Sequence, residues 1–343
     1  MSVRSVKTAV ICAKPFREND RVDSSPGVPA SAVSSATVTC FSISTGVKAG
    51  AVAFTCTCTF VTSGTASIGS LVSDQDASSW KDIETKYIFG FTTGSGIGLE
   101  GEKEFTIDTI GRLGKRDGHY AATETKYEFE FTPSQFIQIE FGALGSTHNI
   151  GGVTDLDDRS QFALSGAFAE FRYLALERTS SNPLAVTLAV EPTVRRIDET
   201  SGDRVRNFEF ETIINADLEL LKNRLFAGFN LLYEPEVTQT AAGDTEREAK
   251  FGGSAALSLR IASNVVLGGE VWYLRHYDAA NLTAFTGDAV MLGPTLYVRF
   301  TPKMFMTAAW NTQVWGREIG NPVSLNLAEF QRNRARLKFA VEF

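Results

Sequence analysis

Three histidines are the first candidates for acid–base work in this chain. His276 stands in Leu274-Arg-His-Tyr-Asp278, near the outer end of a strand pattern. His148 falls in a long polar stretch that also holds Asp155, Asp157 and Asp158. A His beside carboxylates can activate a nucleophile or a water. No Ser or Cys can be placed beside either ring from sequence, so a hydrolase is a minor alternative, as is a soluble or surface adhesin-like β-protein, and no catalytic residue is assigned. His276 reads instead as a polar residue of an aqueous rim. Asp155-Leu-Asp-Asp158 offers oxygen ligands suited to Ca²⁺ or Mg²⁺, and otherwise reads as a solvated loop. Cys56-Thr-Cys58 supplies two thiols with no further ligand nearby, too few for a structural metal site. No cofactor is expected. The glycines of Phe89-Gly-Phe-Thr-Thr-Gly-Ser-Gly-Ile-Gly-Leu-Glu-Gly101 do not follow a strand into a helix, so they do not form a phosphate loop.

The larger chemical resource is charge placed at every second residue. Glu124, Lys126, Glu128 and Glu130 alternate with Thr125, Tyr127, Phe129 and Phe131. Glu140 alternates with Ile139 and Phe141. Glu209, Glu211 and Asp217 oppose Phe208, Phe210, Ile214 and Leu218. Arg299 opposes Val298 and Phe300, and Arg334, Arg336 and Lys338 oppose Ala335, Leu337, Phe339, Val341 and Phe343. Period two is the signature of a strand, because a helix would scatter these charges around its circumference.

The elements that must carry this charge are about twelve strands, at 103–113, 118–131, 135–146, 160–176, 184–198, 205–220, 224–238, 247–261, 264–277, 288–301, 304–317 and 333–343. Tight turns such as Thr132-Pro-Ser-Gln135 and Pro302-Lys303 alternate with longer polar loops at 147–159, 199–204, 239–246, 278–287 and 318–332. Such alternation describes an antiparallel up-and-down sheet with two unlike ends. Strands this long, apolar on one face and charged on the other, suit a transmembrane barrel better than a soluble sandwich, whose strands average five or six residues. Pro192 and Pro294 each remove a ladder donor and are expected at bulges.

The averages disguise this pattern. The chain of 343 residues has a net charge of −7, a pI near 5.2 and a mean hydropathy of −0.06. An acidic balance argues against a nucleic-acid binder, and no apolar run of about 20 residues marks a helical span. Residues 1–73 differ from the rest, being Ser/Thr/Ala-rich, with all four cysteines before residue 59. Lys48 followed by a weakly apolar core and the small residues Gly64 and Ala66 has the order of an export signal, so 1–73 reads as a leader, either disordered or removed. Residues 74–102 read as a Gly-rich periplasmic lead-in, a segment inside the barrel, or a further hairpin that would make fourteen strands. Residues 103–343 are the barrel.

Over 103–343 the sequence resembles Gram-negative outer-membrane β-barrels, and most nearly uncharacterised porin-like barrels of alphaproteobacteria. The likeness lies in the alternating strands, the unequal loops and the last strand ending in Phe343. It implies an all-β antiparallel barrel in the bacterial outer membrane, with lipid and lipopolysaccharide around it. It also implies that Leu337, Phe339, Val341 and Phe343 are read by the barrel-assembly machinery. The charged faces then line the lumen, with Glu128, Glu130, Glu140, Glu209, Glu211, Asp217, Arg299, Arg334, Arg336 and Lys338 the candidate channel lining. Closure sets the basic last strand beside the first, bringing Arg334, Arg336 and Lys338 near Glu104 and Asp108. The expected function is a narrow channel passing small hydrophilic solutes. The alternative is a closed structural barrel in which the charges pair off.

Overall fold

The computed structural model describes residues 84–179 and 181–343. The leader at 1–73, with its signal-like stretch and Cys56 and Cys58, lies outside the described residues, as do 74–83. Twelve strands follow one another: β1 (Lys103–Leu113), β2 (His119–Ser134), β3 (Ile137–Gly151), β4 (Arg159–Leu176), β5 (Leu184–Ile197), β6 (Arg204–Leu221), β7 (Leu225–Thr240), β8 (Thr245–Ala262), β9 (Val265–Tyr277), β10 (Phe285–Thr301), β11 (Met304–Glu318) and β12 (Asn333–Glu342). Each pairs antiparallel with its sequence neighbours, and β1 pairs with β12 to close the barrel. Closure at twelve excludes the fourteen-strand alternative for the described residues.

The strands form because their side chains sort by phase. Phe105, Ile107, Phe141, Phe171, Phe208, Phe229, Leu257, Phe300 and Leu337 point outward and are exposed, as are Tyr127, Tyr173, Tyr273, Trp310 and Trp315. Alternate residues point inward, and most of these are polar or charged yet buried. Such a surface is unfavourable in water and favourable in hydrocarbon. Closure leaves no edge of unpaired N–H and C=O groups for lipid to meet.

Three sequence expectations are corrected. Pro192 stands opposite Phe210 and Pro294 opposite Gly269 in unbroken register, so neither marks a bulge. Register shifts fall elsewhere in these ladders, for example at Val290/Met291 and Arg195/Ile197. Each proline only removes its own N–H from the ladder, and the residues on either side hold the pairing. His148 lies in β3, not in a loop, because that strand runs on to Gly151 with polar residues facing inward.

Residues 84–98 form no strand. They enter among the short turns, make one 3₁₀ turn at Thr85–Tyr87, and double back, with Gly94 N–H donating to the Lys86 carbonyl. Gly90 takes φ +92° at the tip, a conformation open to glycine at little cost. Gly94 passes so close to the Thr85 carbonyl that any side chain would collide. This inner segment buries Tyr87, Ile88 and Phe89 against Phe226, Val266, Tyr297 and Phe305 of the barrel wall.

Candidate functional site: the barrel lumen

The lumen is a set of charges arranged around the inner segment. Polar side chains of ten strands hold its backbone and hydroxyls. Asp217 Oδ2 accepts from Thr85 Oγ1 (2.6 Å), Ser95 N (2.7 Å) and Ser95 Oγ (2.7 Å). Glu270 accepts from the backbone N–H groups of Phe91 (3.0 Å) and Thr92 (2.7 Å), and from Asn311 Nδ2 (3.1 Å). Arg172 donates to Gly94 O, Thr187 to Ser95 O, Ser258 to Ile88 O, Thr307 to Tyr87 O and Arg336 to Gly90 O. Lys86 is buried between Glu130 and Glu140 and also donates to Gln138. Burial alone would lower the Lys86 ammonium pKa, but those two carboxylates outweigh it and hold it above the usual lysine range.

Above the tip lies a cavity of about 260 Å³. Its wall is mostly charged, and the charges pair across and along strands. Lys126 meets Glu191 (2.6 Å), Arg195 bridges Glu124 (3.1 Å) and Glu209 (2.5 Å), and Lys250 meets Glu234 (2.7 Å). At the barrel seam Arg336 binds Asp108 (2.5 Å), and Lys338 lies between Asp108 (3.5 Å) and Glu128 (3.2 Å). One side is apolar, where Phe91, Ile213, Leu232, Trp272, Leu274 and Phe330 cluster. Paired charges in a lumen lower the desolvation cost that isolated ones would carry.

The outer mouth is narrowed by two loops. Glu199, between β5 and β6, binds Arg112 (2.5 Å) and Lys250 (3.1 Å). Burial would raise its carboxyl pKa, but Arg112, Lys250 and Arg195 together hold it well below the usual range. The loop 319–332 returns inward, and Lys115 Nζ donates to its Ala328 carbonyl (2.7 Å). Burial pushes the Lys115 ammonium down to about 8, an effect that Glu329 offsets only in part.

The candidate lining residues therefore divide into three groups. Glu128, Glu140, Glu209, Glu211, Arg334, Arg336 and Lys338 line the cavity together. Glu130 and Asp217 lie lower and bind the inner segment. Arg299 sits near the short-turn end, where its backbone N–H bonds Asn264 O, and it does not line the cavity. Glu104 bonds Tyr87 Oη (2.7 Å) and Thr106, with no ion pair to β12. Leu337 and Phe343 face outward and exposed, and Phe339 and Val341 share their phase.

His276 is buried between Glu248 (3.2 Å) and Glu329 (3.2 Å), with Thr286 Oγ1 at 2.9 Å. His148 Nε2 faces the Glu199 carbonyl at 3.2 Å. The loop aspartates do not converge: Asp158 caps Gly152 N–H and Asp157 lies 4.0 Å from Arg159. Among the described residues, the three carboxylates close enough to share a cation are Glu84, Glu102 and Glu342 at the other end of the barrel. Phase placed Lys126, Arg195 and Lys250 in the lumen, but sequence reasoning did not assign their partners, Glu191, Glu124 with Glu209, and Glu234.

A closed twelve-strand barrel with an apolar outside, a charged inside and unlike ends is an outer-membrane β-barrel, and the bacterial outer membrane is its location. Among solved structures it is similar to an outer membrane channel from Pseudomonas putida F1, at 10% identity and a TM-score of 0.50, covering 73% of this chain and 97% of that one. The NanC porin is similar at 13% identity and a TM-score of 0.43, with 69% and 98% covered. The translocator domain of the autotransporter NalP from Neisseria meningitidis follows at 12% identity and a TM-score of 0.41, with 72% and 89% covered. The chain itself belongs to the Family of unknown function (DUF6662), which matches residues 81–343. No curated protein matches it in sequence.

Proposed function

We propose that the protein is a channel for small hydrophilic solutes, whose charged lumen orients them and whose inner segment, residues 84–98, sets the constriction. The observation that carries this reading is what fills the barrel. The wall itself leaves a charge-lined cavity, and the segment beneath it is held largely by hydrogen bonds that water can replace. The reading involves no covalent chemistry. Export by a leader within residues 1–73, a Gram-negative envelope with lipopolysaccharide around the barrel, and recognition of Leu337, Phe339, Val341 and Phe343 by the barrel-assembly machinery belong to the same proposal.

A second reading, a closed structural barrel, is favoured by the density of ion pairs between Lys126, Arg195, Lys250 and their carboxylates. Planar-bilayer recording of the purified, refolded full chain separates the two. Stepwise conductance that small charged solutes reduce supports the channel. A silent bilayer, together with liposomes that do not swell in small sugars or amino acids, supports the closed barrel.

A further inference from the structure

Among the basic side chains lining the cavity, Arg334 differs from the others. Lys86, Arg172, Arg336 and Lys338 each have a carboxylate within ion-pair distance, as do those nearer the mouth. Arg334 has no carboxylate within ion-pair distance and no hydrogen-bond acceptor among the described residues, Glu270 acting on it only from further off, and its Nε is buried without an acceptor. Its guanidinium carbon lies over the Phe91 ring, 4.1 Å from the centroid, and 5.7 Å from the centroid of Trp272. The attraction of a cation to a ring face uses none of its N–H groups, so the terminal nitrogens of Arg334 keep their donors for a planar acceptor. Arg112 stands opposite Arg334 in the β1–β12 register, but Glu199 already neutralises it.

Arg334 is half-buried on the cavity wall, and a bidentate oxyanion is the group that matches its two terminal nitrogens. The rest of the cavity narrows the choice. Its wall holds many carboxylates, among them Glu211, which has no cation partner among the described residues. A dianion is therefore disfavoured against a monoanion. Beside Arg334 the wall is apolar, formed by Phe91, Trp272, Leu274 and Phe330. A cavity of about 260 Å³ admits only a small solute.

We infer that the cavity is a binding site for a small monocarboxylate with an aromatic or apolar body, its head on the Arg334 fork and its body on the Phe91–Trp272–Phe330 wall. The inference deepens the channel reading by naming the class of solute that pauses in the lumen.

The test is calorimetric titration of the refolded full chain in detergent with phenylacetate and with its neutral amide, phenylacetamide. Saturable one-site binding of the acid, weaker by about tenfold or more for the amide, is expected. Arg334→Gln should bring the acid down to the amide's affinity, with heat-modifiable gel mobility confirming that the variant barrel has folded. Equal affinity for acid and amide in the unaltered protein, or no saturation by either, overturns the inference. Bilayer recording on the same preparation separates the two proposals. Conductance without binding removes this site and leaves the channel, and binding without conductance removes the channel and leaves the site.

Discussion

Glu270 holds the tip of the inner segment through one side chain. The carboxylate is buried, at 2% exposure, and among the described residues no cation lies within ion-pair distance, Arg334 and Arg336 acting on it only from further off. It is satisfied by N–H groups: Phe91 and Asn311 on Oε1, Thr92 on Oε2, and Trp272 Nε1 at a longer 3.4 Å. Glu270→Gln keeps the size and shape but turns one oxygen into a donor. Whichever way the amide is turned, Phe91 or Thr92 loses its acceptor, and the remaining bond loses its charge. An orphaned buried N–H costs about 1–3 kcal/mol, and replacing a charged acceptor by a neutral one costs about 1 kcal/mol more. The tip should therefore be destabilised by roughly 2–4 kcal/mol, lowering the docked-to-undocked ratio by about 30-fold to several hundred-fold. Two readouts follow that ratio. Tryptic cleavage after Lys86, which is buried when docked, should speed up by the same factor when reclosing is faster than cleavage. Bilayer conductance of the variant should show longer or larger openings. Unchanged cleavage and unchanged conductance in a barrel of normal heat-modifiability would refute the assignment of residues 84–98 as the constriction.

Lys86→Met leaves Glu130 and Glu140 buried without their cation. The protein should lose about 3–5 kcal/mol, seen as a lower midpoint for the heat-induced gel shift. Arg336→Ala removes the shorter of the two ion pairs to Asp108 and the bond to the Gly90 carbonyl, so the reversal potential in a salt gradient should move toward cation selectivity and conductance should rise. Lys115, with its ammonium lowered to about 8 by burial when loop 319–332 is docked, returns toward the ordinary lysine value when the loop is released. The released state then binds more protons between about pH 8 and 10.5, so raising the pH through that window favours docking. Protease cleavage within 319–332 should slow across the window, and Lys115→Met should abolish the pH dependence. Deleting Phe343 should reduce the amount of barrel reaching the outer membrane, measured in fractionated cells.

The barrel was legible because its physics repeats. In β12 every second residue is apolar from Ala335 to Phe343, and the strand lies as that phase requires, with Leu337 outward and Lys338 inward. What repeats only once was harder to read. The segment from Glu84 to Gly98 has neither period two nor period 3.6, because its shape is dictated by acceptors such as Asp217 and Glu270, which lie over a hundred residues away. His148 was misplaced because the inward face of a membrane strand is as polar as a loop. The pairing of Arg195 with Glu124 joins strands that are not neighbours in the sheet, so no ladder register announces it. The stacking of Arg334 on Phe91 depends on the fold of the inner segment and was equally invisible.

Arg336 sits on the last strand to be made, yet it grips both Asp108 of the first strand and the Gly90 carbonyl of the inner segment. The seam of the barrel and the seating of its contents therefore share one side chain. Docking of residues 84–98 and closure of the ten-residue ladder between those strands thus reinforce each other, whichever forms first. Contacts spanning more than two hundred residues make that closing step slow, since the loop entropy is lost before the bonds form.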